Sequence, residues 1–230
     1  MNENKYTQKE LKDVLKRHKA WIKGSLEGEK ANLSGADLSG MELEQWVSLY
    51  DADLTGINLS RAHLVGVDFE LANLRGANLT YANFTAANLG YADLRDADLS
   101  WADLTKANLH GADLRYANLR RAQLTNANLY GARLDGANLN YANLVGAVLA
   151  DVSIKYADFR HTDPWRSSWP LSYDGSMQVR VDRELAAALA AHFCSLDCDD
   201  PDYITARDGL LWFARTCKYA GLMGLIESDE

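Results

Sequence analysis

The chain has few cysteines and lacks the long apolar runs that build membrane spans and secretory leaders. Its 230 residues include three cysteines, Cys194, Cys198 and Cys217, an odd number confined to the C-terminal part. Such usage fits a reducing cytoplasm better than a secreted disulfide framework. No run of 18 apolar residues occurs, so the sequence predicts no transmembrane helix. The charged segment 1–19 has no signal-peptide core, and we expect a cytoplasmic protein.

The sequence also lacks the constellations that enzymes and metal sites require. No Ser-His-Asp or Cys-His arrangement, phosphate-binding loop or paired-carboxylate motif stands out. His192 stands near Cys194 and Cys198, but the spacing matches no standard zinc pattern, so buried thiols are the better interpretation. The acidic run 197–202 lacks the glycine and distal glutamate of a calcium loop. We expect no enzyme, no metal site and no cofactor.

What the chain has in abundance is a five-residue repeat from about Lys30 to His161. Over 26 repeats the central residue is leucine, phenylalanine or isoleucine, and the residue two positions earlier is alanine in all but five. A helix would spread such leucines around its axis, and a strand would alternate them between faces. A chain that turns a corner in every repeat would bury both positions inside a four-sided coil made of four repeats. Such coils must stack to cover their apolar faces, which predicts a solenoid rather than a helical bundle.

The runs ANLSG, ADLSG, YANFT and YADLR resemble the pentapeptide-repeat proteins, over about 130 of the 230 residues. The resemblance implies an all-β solenoid, a right-handed quadrilateral parallel β-helix of about six to seven coils. At about 4.8 Å per coil, the rod would be roughly 31 Å long. The repeat slips once, because Leu43 and Leu54 are separated by two repeats plus one residue, and we expect a bulged corner at Glu44-Gln45-Trp46.

The segment before the repeats predicts a capping helix. Thr7 and Glu10 have the spacing of a capping box, and Tyr6 and Leu11 are placed for a hydrophobic staple. Gly24 is a stop signal. The expected helix runs from about residue 7 to 23 and lies over the first coil. Its apolar face is formed by Leu11, Val14, Leu15, His18 and Ile22.

The segment after the repeats predicts helices that either cap the rod or form a dimer contact. Asp182 can cap one helix, and Asp200-Pro201 reads as the start of another. We therefore expect three parts: residues 1–29 as N-terminal capping helix, 30–161 as pentapeptide-repeat β-helix and 162–230 as a mostly helical C-terminal extension.

Residues that are four repeats apart should stack on the outer surface, and one such column interleaves aromatic rings with arginine. It contains Arg61, Tyr81, Trp101, Arg121, Tyr141 and His161. Rings and guanidinium groups at this spacing can stack, and both residue types are enriched at interface hot spots. Tyr81, Trp101, Arg121 and Tyr141 are therefore candidate partner-binding residues. The alternative is that these bulky side chains only stiffen the rod.

A second outer column contains Arg75, Arg95 and Arg115, which are candidate contacts for an anionic partner. Three like charges at this spacing repel. The acidic residues two positions earlier, Asp93 and Asp113, can offset that cost. The alternative is therefore a solvated and locally neutralised face.

These observations favour a non-enzymatic scaffold that binds another protein, whose identity the sequence does not give. The resemblance adds an alternative, since Qnr-type and MfpA-type members resemble DNA in shape and charge and act on DNA gyrase. Residues 31–160 hold 15 acidic and 10 basic residues, a net charge of −5. B-DNA of the same length carries roughly 18 charges, so mimicry is the weaker hypothesis. The net charge of −8 disfavours direct nucleic-acid binding, and a homodimer through the C-terminal segment is plausible.

Overall fold

A computed structural model describes residues 6–43 and 47–162 of the chain. The predicted bulge at 44–46 and the predicted C-terminal helices lie outside these residues. Within the described part, no helix combines the length and apolar character needed to cross a membrane.

Helix α1 spans Gln8–Ile22 and covers one end of the repeats, as predicted. Thr7 caps it, because its hydroxyl accepts from the Glu10 N–H and the Glu10 carboxylate accepts from the Thr7 N–H. Beyond its C-terminus, Gly24 takes a left-handed conformation with φ 73°. Leu11 belongs to the same buried cluster as the lumen of the repeats, whereas Ile22, expected on the buried face, is 41% exposed.

His18 joins α1 to the first coil. Its side chain is buried, Nδ1 accepts a hydrogen bond of 3.1 Å from the backbone N–H of Ala31, and its ring stacks on Trp21. Ala31 is the first lumen residue, so the helix satisfies a donor that an open coil end would leave exposed. Burial lowers the pKa of His18 below its ordinary value of 6.5.

The repeats pair in four parallel ladders of single β-bridges, which make the four faces of the coil. We number the faces in chain order. Their ladders run from Asn32 to Ser153, Asp37 to Asp158, Glu42 to Asn143 and Ser48 to Val148 for faces 1 to 4. Partners are four repeats apart in most of the solenoid, as in the bridges from Asp53 through Asn73 to Asp93. The four-sided stack confirms the predicted quadrilateral solenoid, while its right-handed sense, its full number of coils and the domain boundaries stay predictions.

The register changes once, where the repeat slips. Glu42 pairs with His63, which lies four repeats plus one residue further along the chain. Ser48 pairs with Asp68, which lies four repeats further along with no extra residue. The extra residue therefore lies between Glu42 and Ser48, which is where the sequence predicts it.

The inside of the coil is filled by the two apolar positions of each repeat. Leu94, Leu104 and Leu114 are 0% exposed, as are Ala92 and Ala102 two positions before the first two. Almost all of the remaining positions are half-buried or exposed. The predicted division of each repeat into two inner and three outer residues is confirmed.

Each corner is a tight turn whose third residue has a positive φ. The N–H of Ala36, for example, donates to the carbonyl of Leu33 across the corner, and Gly35 has φ 65°. A positive φ at this position is what a type II turn requires. It recurs at every described corner, including many without glycine. Most repeats have Asn or Asp before the central residue, and this side chain supports the turn, as where Asn32 Oδ1 accepts from the N–H of Ser34.

Candidate partner-binding ridge

The six residues of the aromatic column lie on the corner between faces 2 and 3, and we call them the ridge. They are Arg61, Tyr81, Trp101, Arg121, Tyr141 and His161, with φ between 59° and 62°. Each is the third residue of a corner turn, so its side chain leaves the coil where the chain bends. Consecutive members come from consecutive coils, because the flanking bridges step by one coil at a time.

The ridge side chains form one continuous stack. The guanidinium carbon of Arg61 lies 5.6 Å from the ring centroid of Tyr81, and the rings of Tyr81 and Trp101 stack at 5.7 Å with an interplanar angle of 11°. Arg121 lies between two rings, 4.5 Å from the centroid of Trp101 and 5.2 Å from that of Tyr141. The rings of Tyr141 and His161 stack at 4.4 Å. The structure therefore brings together the four ridge residues that the sequence singled out.

The rings remain accessible although their faces are covered. Tyr81 is 53% exposed, and Trp101 and Tyr141 are each 45% exposed. Since stacking covers ring faces, the exposed part is formed by ring edges and polar tips. The ridge is thus a surface that another molecule can reach without any change in the coil.

The ridge arginines keep their charge available. Within residues 6–43 and 47–162, Arg61, Arg121 and the neighbouring Arg120 make no ion pair with a carboxylate. Cation–π contact holds Arg61 and Arg121 in place without neutralising them. On face 3, beside the ridge, the outer residues of the described coils after His63 are uncharged apart from Asp103.

The arginines of face 1 are paired instead. Arg95 donates to Asp93 over 2.5 Å, Arg115 donates to Asp113 over 2.6 Å, and Arg75 contacts Asp96 at 3.3 Å. The structure thus brings Arg75, Arg95 and Arg115 to one face with carboxylates beside them. Their role as partner contacts stays a prediction.

The pKa values of the face 1 carboxylates reflect this pairing. Hydrogen bonds from Arg95 hold the pKa of Asp93 below its ordinary value. Burial raises the pKa of Asp113, but hydrogen bonds and charge from Arg115 more than offset it, so that pKa also ends below its ordinary value. Both acids are therefore ionised at neutral pH, and their charge is locally compensated.

Sequence reasoning missed a second aromatic group on face 4. The hydroxyl of Tyr91 lies 2.7 Å from Nε2 of His110, and the His110 ring stacks on Tyr130 at 5.4 Å. A hydrogen bond to Asp151 raises the pKa of Tyr130. His110 and Tyr130 are four repeats apart, so the expected stacking of residues four repeats apart could have predicted their contact. Tyr91 joins them from a corner position, which this spacing does not predict.

The described residues offer no metal centre. Among residues 6–43 and 47–162, no group of three or more His, Cys, Asp or Glu side chains is placed to hold a metal ion. The cysteines and His192 lie outside the described residues.

Comparison with known proteins places the repeats in one family. The family model described as "Pentapeptide repeats (8 copies)" matches residues 52–90, 92–131 and 127–163. Comparison with curated proteins finds no significant match.

Among solved structures, trypsin-treated QnrB1, described as a plasmid-mediated fluoroquinolone resistance protein, is 20% identical with a TM-score of 0.54. The match covers 73% of this chain and 86% of QnrB1, and it supports the fold alone. A pentapeptide-repeat protein of the Arabidopsis thaliana thylakoid lumen is 34% identical over 55% of this chain and 70% of its own, with a TM-score of 0.34.

A pentapeptide-repeat protein of Nostoc Pcc 7120 is 35% identical over 46% of this chain and 84% of its own, with a TM-score of 0.39. The repeats that the family model matches form most of the four ladders, which begin earlier, at Asn32. The chain belongs to the pentapeptide-repeat family.

Proposed function

We propose that the chain is a non-enzymatic scaffold that binds another protein through the ridge. The observation that carries the proposal is the continuous stack of six side chains, all exposed except the half-buried Arg121, which includes Tyr81, Trp101 and Tyr141. Aromatic and arginine side chains are the types that dominate binding energy at protein interfaces. A rigid rod presents them with little loss of side-chain freedom on binding, because the stack already fixes them.

The backbone of the ridge is strained, as it is at the other described corners that lack glycine, and stacking does little to offset that strain. A left-handed conformation costs a residue other than glycine about 1–2 kcal/mol, and all six ridge residues have positive φ. Each stacking contact returns about 0.5–1.5 kcal/mol. Six residues bear this strain and only five contacts join them, so stacking offsets it only in part, whereas glycine, present at Gly56 and Gly76 on the adjacent corner, closes the same turn without strain. The stack therefore adds little to the stability of the coil, which supports a role in recognition.

The second candidate is a DNA mimic that modulates or protects DNA gyrase. It is favoured by the fold similarity to QnrB1, whose description names fluoroquinolone resistance. The ion pairs on face 1 weaken it, since Asp93 and Asp113 carry guanidinium partners and cannot imitate free phosphates. This candidate predicts inhibition or drug protection of gyrase supercoiling at low protein excess, and no effect at large excess would eliminate it.

Two further parts of the proposal concern the cell and the C-terminal segment. We place the protein in the cytoplasm, on the cysteine usage of the sequence. Residues 162–230 are proposed as a cap or as a homodimer contact. A monomer in light scattering at high concentration would contradict the dimer.

Affinity capture from lysate of the native host tests the ridge. The test variant carries Tyr81→Ala, Trp101→Ala and Tyr141→Ala. The matched control carries Tyr91→Ala, Tyr116→Ala and Tyr156→Ala. All six are exposed aromatic residues with positive φ, so both variants lose the same kind of side chain from the same kind of corner.

Circular dichroism first verifies that both variants fold. We expect a protein partner that is captured by wild type and by the control variant but not by the ridge variant. Identical captures from all three would contradict the ridge and direct attention to the C-terminal segment.

A further inference from the structure

We infer that the partner of the ridge is an acidic protein segment, an extended stretch rich in Asp and Glu that lies along the rod. The inference rests on the proposed function and names the chemistry of the partner at the same site. Four properties of the ridge lead to it: the orientation of its rings, its donors, its unpaired charge and its spacing.

The orientation of the rings determines which part of them a partner meets. Tyr81 and Trp101 stack on each other, and Arg121 fills the space between Trp101 and Tyr141. Between Arg61 and His161, ring faces are therefore turned toward ridge neighbours, and ring edges point outward. The face of an aromatic ring is electrostatically negative and its edge is positive. A partner approaching from solvent thus meets the positive rim of each ring.

The polar atoms at the exposed tips are mainly donors. The indole N–H of Trp101 and the guanidinium groups of Arg61 and Arg121 donate and cannot accept, and the hydroxyls of Tyr81 and Tyr141 can donate. A surface of this kind is complementary to a row of acceptors. Carboxylates are the protein side chains that accept without donating, and they form the strongest hydrogen bonds with guanidinium groups.

The unpaired charge distinguishes this corner from face 1. Arg75, Arg95 and Arg115 already contact carboxylates of the chain. In the described part of the chain, by contrast, the guanidinium groups of the ridge have no carboxylate within ion-pair distance. Asp103 is the charged outer residue on the adjoining side of face 3, and it reduces the positive potential there without forming such a pair. The chain therefore offers unpaired guanidinium groups at the ridge.

The spacing of the two ridge arginines fits an extended peptide. Arg61 and Arg121 are three coils apart, about 14 Å at the strand spacing of a sheet. In an extended chain, residues i and i+4 are separated by about 13–14 Å and point to the same side. Two carboxylates at i and i+4 can therefore reach Arg61 and Arg121 together, while backbone carbonyls lie opposite the tyrosine and indole donors between them.

Single-stranded nucleic acid is also anionic, but the ridge does not suit it. Such partners stack their bases on open aromatic faces, and the faces here are turned toward other members of the stack. The net charge of −8 also repels a long polyanion more strongly than a short peptide.

Fluorescence anisotropy with defined probes tests the inference on the full chain. The probe is a fluorescein-labelled dodecapeptide of alternating Glu and Ser, with a Lys and Ser peptide and an oligothymidine of equal length as comparisons. The ridge-arginine variant carries Arg61→Gln and Arg121→Gln, and the matched control carries Arg95→Gln and Arg115→Gln. Both variants change the net charge equally.

We expect the Glu peptide to bind the wild type and to bind it more weakly as salt is raised. Its affinity for the ridge-arginine variant should be about tenfold lower, whereas its affinity for the control should be unchanged. The inference is overturned by a wild type that does not bind the Glu peptide. Equal loss in both variants, or ridge-dependent binding of oligothymidine at comparable strength, also overturns it.

These outcomes are separate from those of the capture experiment. If a captured protein depends on Tyr81, Trp101 and Tyr141 while the Glu peptide does not bind, the ridge is a binding site and its partner is not acidic. If the Glu peptide binds with the expected dependence but no protein is captured through the ridge, the chemistry stands and the proposed scaffold function fails.

Discussion

The sharpest test of the architecture is to place the same charged side chain inside and outside the coil at adjacent positions. Leu104 lies in the middle of the face 3 ladder and is 0% exposed. Thr105 follows it directly and is only half-buried. Leu104→Asp and Thr105→Asp therefore introduce the same carboxylate one residue apart, one into the lumen and one on the surface.

The structure determines how much the two substitutions should differ in their effect on the free energy of unfolding. Truncating a buried leucine costs about 2–5 kcal/mol through lost burial and the remaining cavity. A buried charge without a partner adds about 3–5 kcal/mol. The neighbours of Leu104 along the ladder are Phe84 and Leu124, so no lumen group near it can pair with the carboxylate. The sum is comparable with the whole stability of a typical domain, about 5–15 kcal/mol. Thr105→Asp adds a carboxylate near Asp103 at the surface and should cost about 1 kcal/mol or less.

Urea unfolding followed by circular dichroism measures both variants against wild type. We expect Leu104→Asp to lose the cooperative transition of the repeats or to shift it far toward low urea, because each coil is supported only by its neighbours. Limited proteolysis should then cut near the substituted coil. If Leu104→Asp and Thr105→Asp cause equal loss, the assignment of inner and outer positions is wrong.

Three further predictions concern the corners and the capping helix. Ala86→Gly should raise the free energy of unfolding by about 0.5–1 kcal/mol, because Ala86 has φ 55°, whereas Ala87→Gly should lower it because that alanine is buried. Urea titration measures both changes in the free energy of unfolding, and changes of the same sign would contradict the corner geometry. Gly111→Ala should cost more than Gly131→Ala, since both have positive φ but only the first would press a methyl group to 2.5 Å from a tyrosine ring; thermal melts compare them, and equal shifts would contradict the contact. The docking of α1 should weaken as pH falls below about 6.5 toward the lowered folded-state pKa of His18, because the unfolded chain takes up the proton first, and should be fully present above that window. Hydrogen exchange of α1 between pH 7 and 5 measures this, and His18→Gln, which cannot take up the proton, should remove the dependence.

The sequence was sufficient for the architecture because one physical demand recurs in every repeat. Each repeat must bury a large central residue and a small residue two positions before it, as at Leu104 and Ala102. Neither a helix nor a single strand buries both positions in every repeat, whereas the four-sided coil does. The same holds for α1, where Thr7 and Glu10 define the start by local hydrogen bonds. The register shift between Glu42 and Ser48 also followed from counting residues alone.

The candidate site was less predictable, because side-chain choices depend on neighbours in three dimensions. The ridge follows from the stacking of residues four repeats apart, but the insertion of Arg121 between two rings does not. Arg75 has Asn73 rather than an acid two positions earlier, and its partner is Asp96 on the next coil. Tyr91 crosses from its corner to His110 on a face, so no single column contains the pair.

The contrast between the ridge and face 1 shows why a periodic row of arginines does not by itself identify a binding surface. Arg115 and Arg121 stand close together in the sequence, and both are held by neighbours in the solenoid. A carboxylate holds Arg115, so its charge and its Nε and Nη2 donors are already used within the chain. Aromatic rings hold Arg121, and a ring fixes the guanidinium plane while its edge N–H groups stay free to donate outward. If recognition depends on the charge that the fold leaves unpaired, a partner must respond to Arg121→Gln and ignore Arg115→Gln, although the two substitutions change the sequence in the same way.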